Sequence, residues 1–367
     1  MKTKKTIITA VLFLLVLLGA AGGFVAVRWY MDNRAPALRS GVTLRIYPQT
    51  TVQDVIDMLT LGDNAIHPAS IRRVMEKENA AERLRCGLYK IDTLQPPVYI
   101  ARAITRGWQN PVKVVVPDGL RFRDALCGAI SADLMVDSTS LQQAFRDSLL
   151  MDKYSLRPSA LFAYILPDTY EFYWDTTAEN VLSRIRKEYD AFWNESRLKA
   201  AQAIGLTPYE VSVLASIVAQ ESNRTDEFPK VASVYLNRLR KGIKLQACPT
   251  VCYIYGYSLR RVLYKHLRTD SPYNTYMYEG LPPTPICIPG KQHIEAVLHP
   301  DSTPYLYFCA DSSFSGRNLF ATSYSQHMRN ARAYQAALAT RMKNASSPQA
   351  LDSLLITAPE KGTVQSE

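Results

Sequence analysis

From residue 6 to residue 27 the chain carries no Asp, Glu, Lys or Arg. At a rise of about 1.5 Å per residue, roughly 20 helical residues cross a hydrocarbon core of about 30 Å. The run therefore predicts a membrane-spanning helix, and nothing else in the sequence restricts the possible folds so strongly. Lys2, Lys4 and Lys5 precede it, and Arg28, Trp29 and Tyr30 follow. Basic residues before the first span stay cytoplasmic, and amphipathic aromatics settle at headgroup level. The expectation is a cytoplasmic stub at 1–6, a span at 7–28 and an exported remainder. A cleaved signal peptide is the alternative, because residues 7–18 make an acceptable apolar core and Gly19, Ala20 and Ala21 a small-residue cleavage site. Phe24, Val25 and Val27 prolong the run past that site and favour retention.

The exported body has the make-up of folded protein. Of 367 residues 47% are hydrophobic and 21% charged, enough chain for two or three domains. The net charge of +10 suits a membrane surface, an acidic polymer or nucleic acid. Export and the lack of a concentrated basic stripe argue against nucleic acid. Six scattered cysteines (Cys86, Cys127, Cys248, Cys252, Cys287, Cys309) permit disulfides without requiring them. Cys248 and Cys252 have neither a second pair nor a His cluster to complete a metal site, and no metal or organic cofactor is expected.

Periodicity gives an α+β fold class. Residues 29–40, with Pro36 and no pattern, read as a tether. Val42, Leu44 and Ile46 alternate as a strand, Val55, Ile56 and Leu59 recur at helical spacing, residues 87–91 form another strand, and residues 97–106 form a helix closed by Gly107. A small α+β module is thus predicted at 41–110. A connecting α+β region follows at 111–200, with a strand at Val112, Val114 and Val116, helices near 140–151 and 178–203, and an aromatic strap at 164–172. The region 201–345 should be mainly helical with short strands: helices to Gly242, loops to Pro304, a strand at 305–308 and a helix at 324–343. Residues 346–367 are polar and read as a disordered tail.

One carboxylate breaks the pattern. Thr207, Pro208 and Glu210 make a capping box with Pro in the first turn. The apolar stripe Val211, Leu214, Ile217 and Val218 then leads to Glu221, a carboxyl group where the core should be. A carboxylate held from water without a partner keeps its proton at neutral pH, and such a group can protonate a leaving oxygen. Alternatively the helix ends there and the side chain reaches water, or pairs with Arg224 or Arg238. A second helix opens at Pro229 with Val231, Val234, Tyr235 and Leu239 on one face. Returned beside the first by the turn at 222–228, it would bring Asn237 and Arg238 to the same cleft, with Lys244, Leu245 and Gln246 entering from a following strand.

Several ordered blocks carry a resemblance. Residues 214–221 (LASIVAQE), 231–239 (VASVYLNRL), Leu245-Gln246 before Pro249-Thr250-Val251, 271–276 (SPYNTY), Gly280-Leu281-Pro282-Pro283, Pro285-Ile286 and Pro289-Gly290 resemble the MltG (YceG-like) family of membrane-bound endolytic murein transglycosylases. The likeness covers about 200–330, and more weakly 167–170 and 41–110. It implies a single-pass inner-membrane protein with a LysM-like module at 41–110 and a catalytic domain at 201–345 on the periplasmic side. It also implies that Glu221 is the acid/base, protonating the glycosidic oxygen after N-acetylmuramic acid and then accepting the proton of that sugar's 6-hydroxyl, to leave a 1,6-anhydro end. Intramolecular attack needs one positioned carboxyl group, whereas hydrolysis generally needs two. Asp226 and Glu227 are the nearest second carboxylates, read as solvated turn charges that keep a lysozyme-like hydrolase open.

Within the matching blocks, Gln246, Asn274 and Thr275 offer neutral hydrogen-bonding groups for sugar acetamido and hydroxyl groups, and Tyr273 and Tyr276 flat faces for sugar rings. Cys248, Ile288 and Asn318 stand where the family commonly has Asp, Asn and His, and His327 reads as structural. The expected partners are peptidoglycan glycan strands and the inner membrane, with peptidoglycan synthases as further candidates and no nucleic acid. The rival from another class is a non-catalytic wall-binding scaffold.

Overall fold

The computed structural model describes residues 2–343. The expected tail at 346–367 lies outside them. Helix α1 (Lys2–Asn33) is unbroken, and every side chain from residue 7 to residue 30 is exposed. Its stretch Ile7–Asn33 is long and apolar enough to cross a membrane.

Two compact units follow from the chain's own contacts. The first contains the described residues up to Val114 together with Asp133–Val136 and Glu171–Thr176, and the second contains the rest. In the first, β1 (Val42–Ile46), α2 (Val52–Thr60), α3 (Pro68–Lys77), α4 (Ala80–Arg83), β2 (Gly87–Ile91) and α5 (Pro97–Arg106) succeed one another. The strands pair antiparallel, Val42 opposite Ile91 and Leu44 opposite Tyr89. Their inward residues Leu44, Ile46 and Tyr89 meet Val55, Leu59, Ile71, Ile100 and Ile104 in one core. Thr51 starts α2 with a reciprocal cap, its hydroxyl accepting from the Asp54 amide while Asp54 accepts from the Thr51 amide at 2.8 Å. Gly107, at φ +73°, ends α5 in the left-handed region that glycine adopts without strain. Residues 34–40 contribute to this core: Ala37 and Leu38 are buried, and the Ala37 amide donates to the Gln95 carbonyl at 3.0 Å.

Between the units the chain passes along β3 (Val112–Val116) and β4 (Asp168–Phe172). The second unit adds α6 (Arg123–Ser131), α7 (Ser138–Ala144), α8 (Ser148–Lys153), α9 (Ala178–Phe192) and α10 (Glu195–Ile204). The helices expected at 140–151 and 178–203 are each broken in two by a capping side chain. Asp147 accepts from the Leu149 and Leu150 amides and starts α8, and Asn194 accepts from the Arg197 amide and starts α10. An apolar stripe that continues through such a cap hides the break from periodicity alone.

At the centre lies α11 (Pro208–Glu221), flanked by α12 (Phe228–Arg240), α13 (Cys248–Ile254) and α15 (Lys291–Leu298), with the short α14 (Tyr264–Leu267) between. The expectation for α11 was one apolar stripe, but every residue from Val211 to Val218 is buried. A helix enclosed on all sides shows no polar face. Its buried Ser216 is satisfied, donating to the Val213 carbonyl and accepting from the Ile286 amide. The stretch expected to be loop up to Pro304 contains α15, whose start is capped by His293 Nδ1 accepting from the Gly290 amide at 3.1 Å, a cap that the usual Ser, Thr, Asp and Asn signals do not flag. Strand β5 (Tyr307–Ala310) lies two residues later than expected and pairs antiparallel with the unanticipated β6 (Asn318–Ala321), over which α16 (Tyr324–Lys343) packs.

Candidate functional site

Helix α11 stops where its core stops. Glu221 is its last residue and is half-buried, so the carboxyl group expected inside the core stands instead at a cavity wall. The capping box fixes the other end: the Thr207 hydroxyl accepts from the Glu210 amide, and Glu210 accepts from the Thr207 amide at 2.8 Å. With the start fixed and eight consecutive residues packed, the position of Glu221 follows from helix length.

Helix α12 returns beside α11 and sets Tyr235 against it. The Tyr235 hydroxyl donates to Glu221 Oε1 at 2.6 Å. Burial, and then the charge of Glu221, push the Tyr235 phenol well above its ordinary range, so it remains a donor at any working pH. Tyr235 was expected as part of the apolar face. Its ring is packed there, edge-on to Phe308 with centroids 5.9 Å apart, but sequence reasoning missed the hydroxyl's partner. A tyrosine on the inner face of the second helix of a hairpin, opposite an out-of-pattern Glu, is the signal that would have found it.

One turn on, Arg238 is buried and holds the loops that close the site. Its Nε donates to the Leu306 carbonyl at 2.6 Å and its Nη1 to the carbonyls of Lys244 and Leu245 at 3.1 and 2.9 Å. Burial lowers the Arg238 pKa, although nearby Tyr235 and Tyr307 oppose the shift. Asn237, expected in the cleft, is engaged elsewhere, donating to the carbonyls of Thr303 and Tyr305 at 2.7 and 3.0 Å.

Gln246 reaches the cavity from an irregular segment, not from the expected strand. Its φ of +51° is incompatible with extended backbone, and the conformation is held by its amide donating to the Thr275 carbonyl at 3.0 Å. Its side-chain oxygen accepts from Arg238 Nη1 at 3.3 Å. Glu221, Tyr235, Arg238, Gln246, Cys248 and Tyr276 line a narrow cavity of about 70 Å³ together with Tyr307, Tyr324 and His327. The Cys248 sulfur lies 3.0 Å from the Tyr276 hydroxyl, and the Tyr276 phenol is raised well above its ordinary range, chiefly by burial. His327, read as structural from the sequence, stacks on Tyr307 at 5.3 Å.

Glu221 also lines a second, larger cavity of about 780 Å³ with Gln220, Arg224, Asp311, Arg317 and Arg341. One acidic residue thus lines both cavities, an arrangement suited to a long ligand running past it.

Three expected contacts lie elsewhere. Asn274 is fully buried; it donates to the carbonyls of Leu267 and Thr269 at 3.0 and 2.7 Å and accepts from the Tyr276 amide. Thr275 is equally enclosed, its hydroxyl accepting from the Ala247 amide at 3.0 Å and paired with the Thr250 hydroxyl at 2.9 Å. Both shape the loop that presents Gln246 and Tyr276; their own polar atoms are used internally. Tyr273 packs on Tyr253 at 4.6 Å with its hydroxyl 2.8 Å from that of Thr284, outside the lining of both cavities.

The second-carboxylate candidates are also corrected. Glu227 was read as a solvated turn charge, but it is buried, accepting from the Asn318 amide at 2.8 Å, Asn318 Nδ2 at 2.6 Å and the Ser222 hydroxyl at 3.2 Å. Those donors allow a carboxylate to sit inside the fold. Asp226 is exposed; the hydrogen bond from Arg224 at 3.0 Å, with the charges of Arg224 and of Arg317 at 3.4 Å, holds its carboxyl below the usual range. Neither is in the lining of the two cavities at Glu221, whereas Asp311 is, its carboxylate engaged by the Ser313 and Ser315 hydroxyls of its own turn. Ile288, another departure from the expected pattern, is buried and exchanges backbone bonds with Gly119 and Leu120. All six cysteines are free thiols. Among the described residues no group of three or more His, Cys, Asp or Glu side chains is placed to hold a metal ion.

Comparison with known proteins adds an independent line. The sequence profile of the YceG-like family matches residues 44–333. A Bacillus subtilis (strain 168) protein named endolytic murein transglycosylase is 36% identical over 191 residues, which are 51% of this chain and 52% of that protein. One of the same name from Streptococcus pneumoniae (strain D39) is 24% identical over 364 residues, 89% of this chain and 64% of that protein. The chain thus spans about half to two thirds of the length of these relatives. A solved structure of a YceG-like protein from Listeria monocytogenes superposes with a TM-score of 0.53 at 25% identity, covering 79% of this chain and 99% of that one. Since the matched stretch takes in most of β1, all of β2 and every residue lining the narrow cavity at Glu221, the chain belongs to the YceG-like family.

Proposed function

We propose that this protein is an endolytic murein transglycosylase of the lytic type, with Glu221 as its acid/base. The observation that carries the reading is the position of Glu221: one carboxyl group at a helix end, in the wall of two cavities, with a phenol donating to it at 2.6 Å. A glycan strand lying through both cavities presents an internal bond to Glu221, which is the geometry of cutting within a chain. Glu221 protonates the oxygen leaving N-acetylmuramic acid, then takes the proton of that sugar's 6-hydroxyl as its oxygen closes on C1. The bond to the leaving sugar breaks, the 1,6-anhydro ring forms, and the proton count is restored without water. Tyr235 orients the carboxyl group, Gln246 contacts the sugar in the narrow cavity, and the Tyr276 and Tyr307 rings form its walls. The relatives' name, endolytic murein transglycosylase, supports the substrate class.

The antiparallel β1 and β2 enclosing α2 and α3 support reading residues 41–110 as a LysM-like glycan-binding module. The apolar α1 supports a single-pass inner-membrane protein with its body on the periplasmic side, and synthases remain the proposed protein partners. Asp311 favours one second reading, hydrolysis with Asp311 as the partner carboxylate. Mass spectrometry of wall glycan after incubation with the full-length chain decides between them. Anhydro-ended fragments that disappear with Glu221→Gln are expected; fragments with only reducing ends, dependent on Asp311, refute the lytic reading. Preserved cellular function with Glu221→Gln would instead favour a scaffold.

A further inference from the structure

A third cavity, of about 310 Å³, is lined by Arg121, Arg123 and Arg146 and by the rings of Phe122, Tyr253 and Tyr257, with no Asp or Glu in its lining. The hydrogen bonds of Arg121 and Arg123 go to neutral atoms. Arg121 donates through Nε and Nη2 to Gln220 Oε1 at 3.1 and 2.6 Å, and Arg123 Nη2 donates to the Pro158 carbonyl at 2.8 Å. The Arg121 guanidinium carbon also lies over the Tyr257 ring, 4.4 Å from its centroid. The backbone beneath is unusual: Gly256 and Tyr257 have φ of +58° and +57°, and for tyrosine this left-handed conformation is strained. The Tyr257 hydroxyl, donating to the Ile286 carbonyl at 2.6 Å, holds it there. Tyr253 is supported from behind by Tyr273, which gives that residue a place beside this cavity.

Three like charges facing one cleft form a focused positive field that an oxyanion relieves, and guanidinium groups match carboxylates in a planar, two-bonded geometry. The cleft connects to the candidate site through Gln220, which Arg121 grips and which directly precedes Glu221 in α11. We propose that this cleft binds a carboxylate of the acidic peptide borne by the wall glycan, so that the enzyme selects peptide-bearing strands and sets their register at Glu221. Phe122, half-exposed at the same wall, offers the apolar contact that a peptide has and a bare sugar lacks. The proposal rests on the murein reading above for its source of peptide.

The test uses the full-length chain in detergent micelles, as wild type, Arg146→Gln and Arg146→Lys, with folding compared by circular dichroism. Arg146 is exposed on α8's approach and its substitution spares the bonds made by Arg121 and Arg123. Cleavage is measured on peptide-bearing strands and on strands stripped by an amidase, and binding by calorimetry with the released stem peptide and, separately, inorganic diphosphate. Arg146→Gln should lower the ratio of kcat/KM on peptide-bearing to stripped strands by about tenfold, and weaken stem-peptide binding by a like factor, as loss of a charge-assisted bond requires. Arg146→Lys should recover part of both. An unchanged ratio with unchanged peptide binding overturns the proposal, as does binding of diphosphate without peptide. If wild type cuts neither strand yet binds the peptide in an Arg146-dependent way, the transglycosylase reading fails while the carboxylate site stands.

Discussion

Replacing Tyr235 by Phe removes one oxygen and leaves the ring. The ring is buried against Phe308, so packing is retained and the perturbation reduces to the 2.6 Å hydrogen bond onto Glu221 Oε1. A hydrogen bond contributes about 0.5–1.5 kcal/mol to a neutral carboxyl group and about 1.5–3 kcal/mol to a charged one, the state Glu221 reaches as it gives up its proton. If that bond holds Glu221 in its reactive orientation, its loss appears in the barrier, and at about 1.4 kcal/mol per decade the rate falls roughly tenfold to a hundredfold. Stability should change far less, because half-buried Glu221 can take a water in place of the phenol. A loss of about 1 kcal/mol lowers Tm by about 1–2 °C for a chain of this size. The assay is the initial rate of anhydro-product formation from purified glycan, beside a melting curve on the same sample. A wild-type rate in Tyr235→Phe refutes the positioning argument, and a rate loss matched by a large fall in Tm shows that the hydroxyl serves folding instead.

Two further outcomes follow from the same packing. Arg238→Met leaves the carbonyls of Leu306, Lys244 and Leu245 without their donor, and at about 1–3 kcal/mol for each orphaned group the loss is roughly 3–9 kcal/mol, a large part of a typical stability, measurable by denaturant titration. Burial lowers the pKa of His293, so the unfolded state binds its proton first; His293 therefore contributes stability above about pH 6.5 that is lost as pH falls below it. Melting curves between pH 7.5 and 5 should show a steeper decline for wild type than for His293→Gln, and parallel declines would contradict this assignment.

Much of the frame was legible before folding. The charge-free run before Arg28, the alternation at Val42, Leu44 and Ile46, the capping box at Thr207 and the Pro and Gly punctuation are local signals, set by chain geometry over a few residues. They located α1, β1, β2, α5, α11, α12 and α16. Breaks made by Asp147 and Asn194 and the His293 cap of α15 were missed because the apolar pattern runs through the first two and the third uses an uncommon capping residue.

The site divides along the same line. Glu221 stood out as the residue in the wrong place on a stripe, and that is readable from spacing. Where it points was not, because the end of α11 coincides with the end of the surrounding core, which depends on α12, α13 and α15 packing on every side of it. Asn274 and Thr275 offered the right chemistry for sugars, but the fold uses their polar atoms to close a loop, since a buried amide or hydroxyl must be satisfied by whatever lies nearest. The sequence determined the span, the helix pair and the odd carboxylate, since each is written within a single element. Only the tertiary structure decided that Tyr235 donates to Glu221, that Glu227 turns inward to Asn318, and that three arginines share one cleft, because each depends on distances between residues that chain order leaves unspecified.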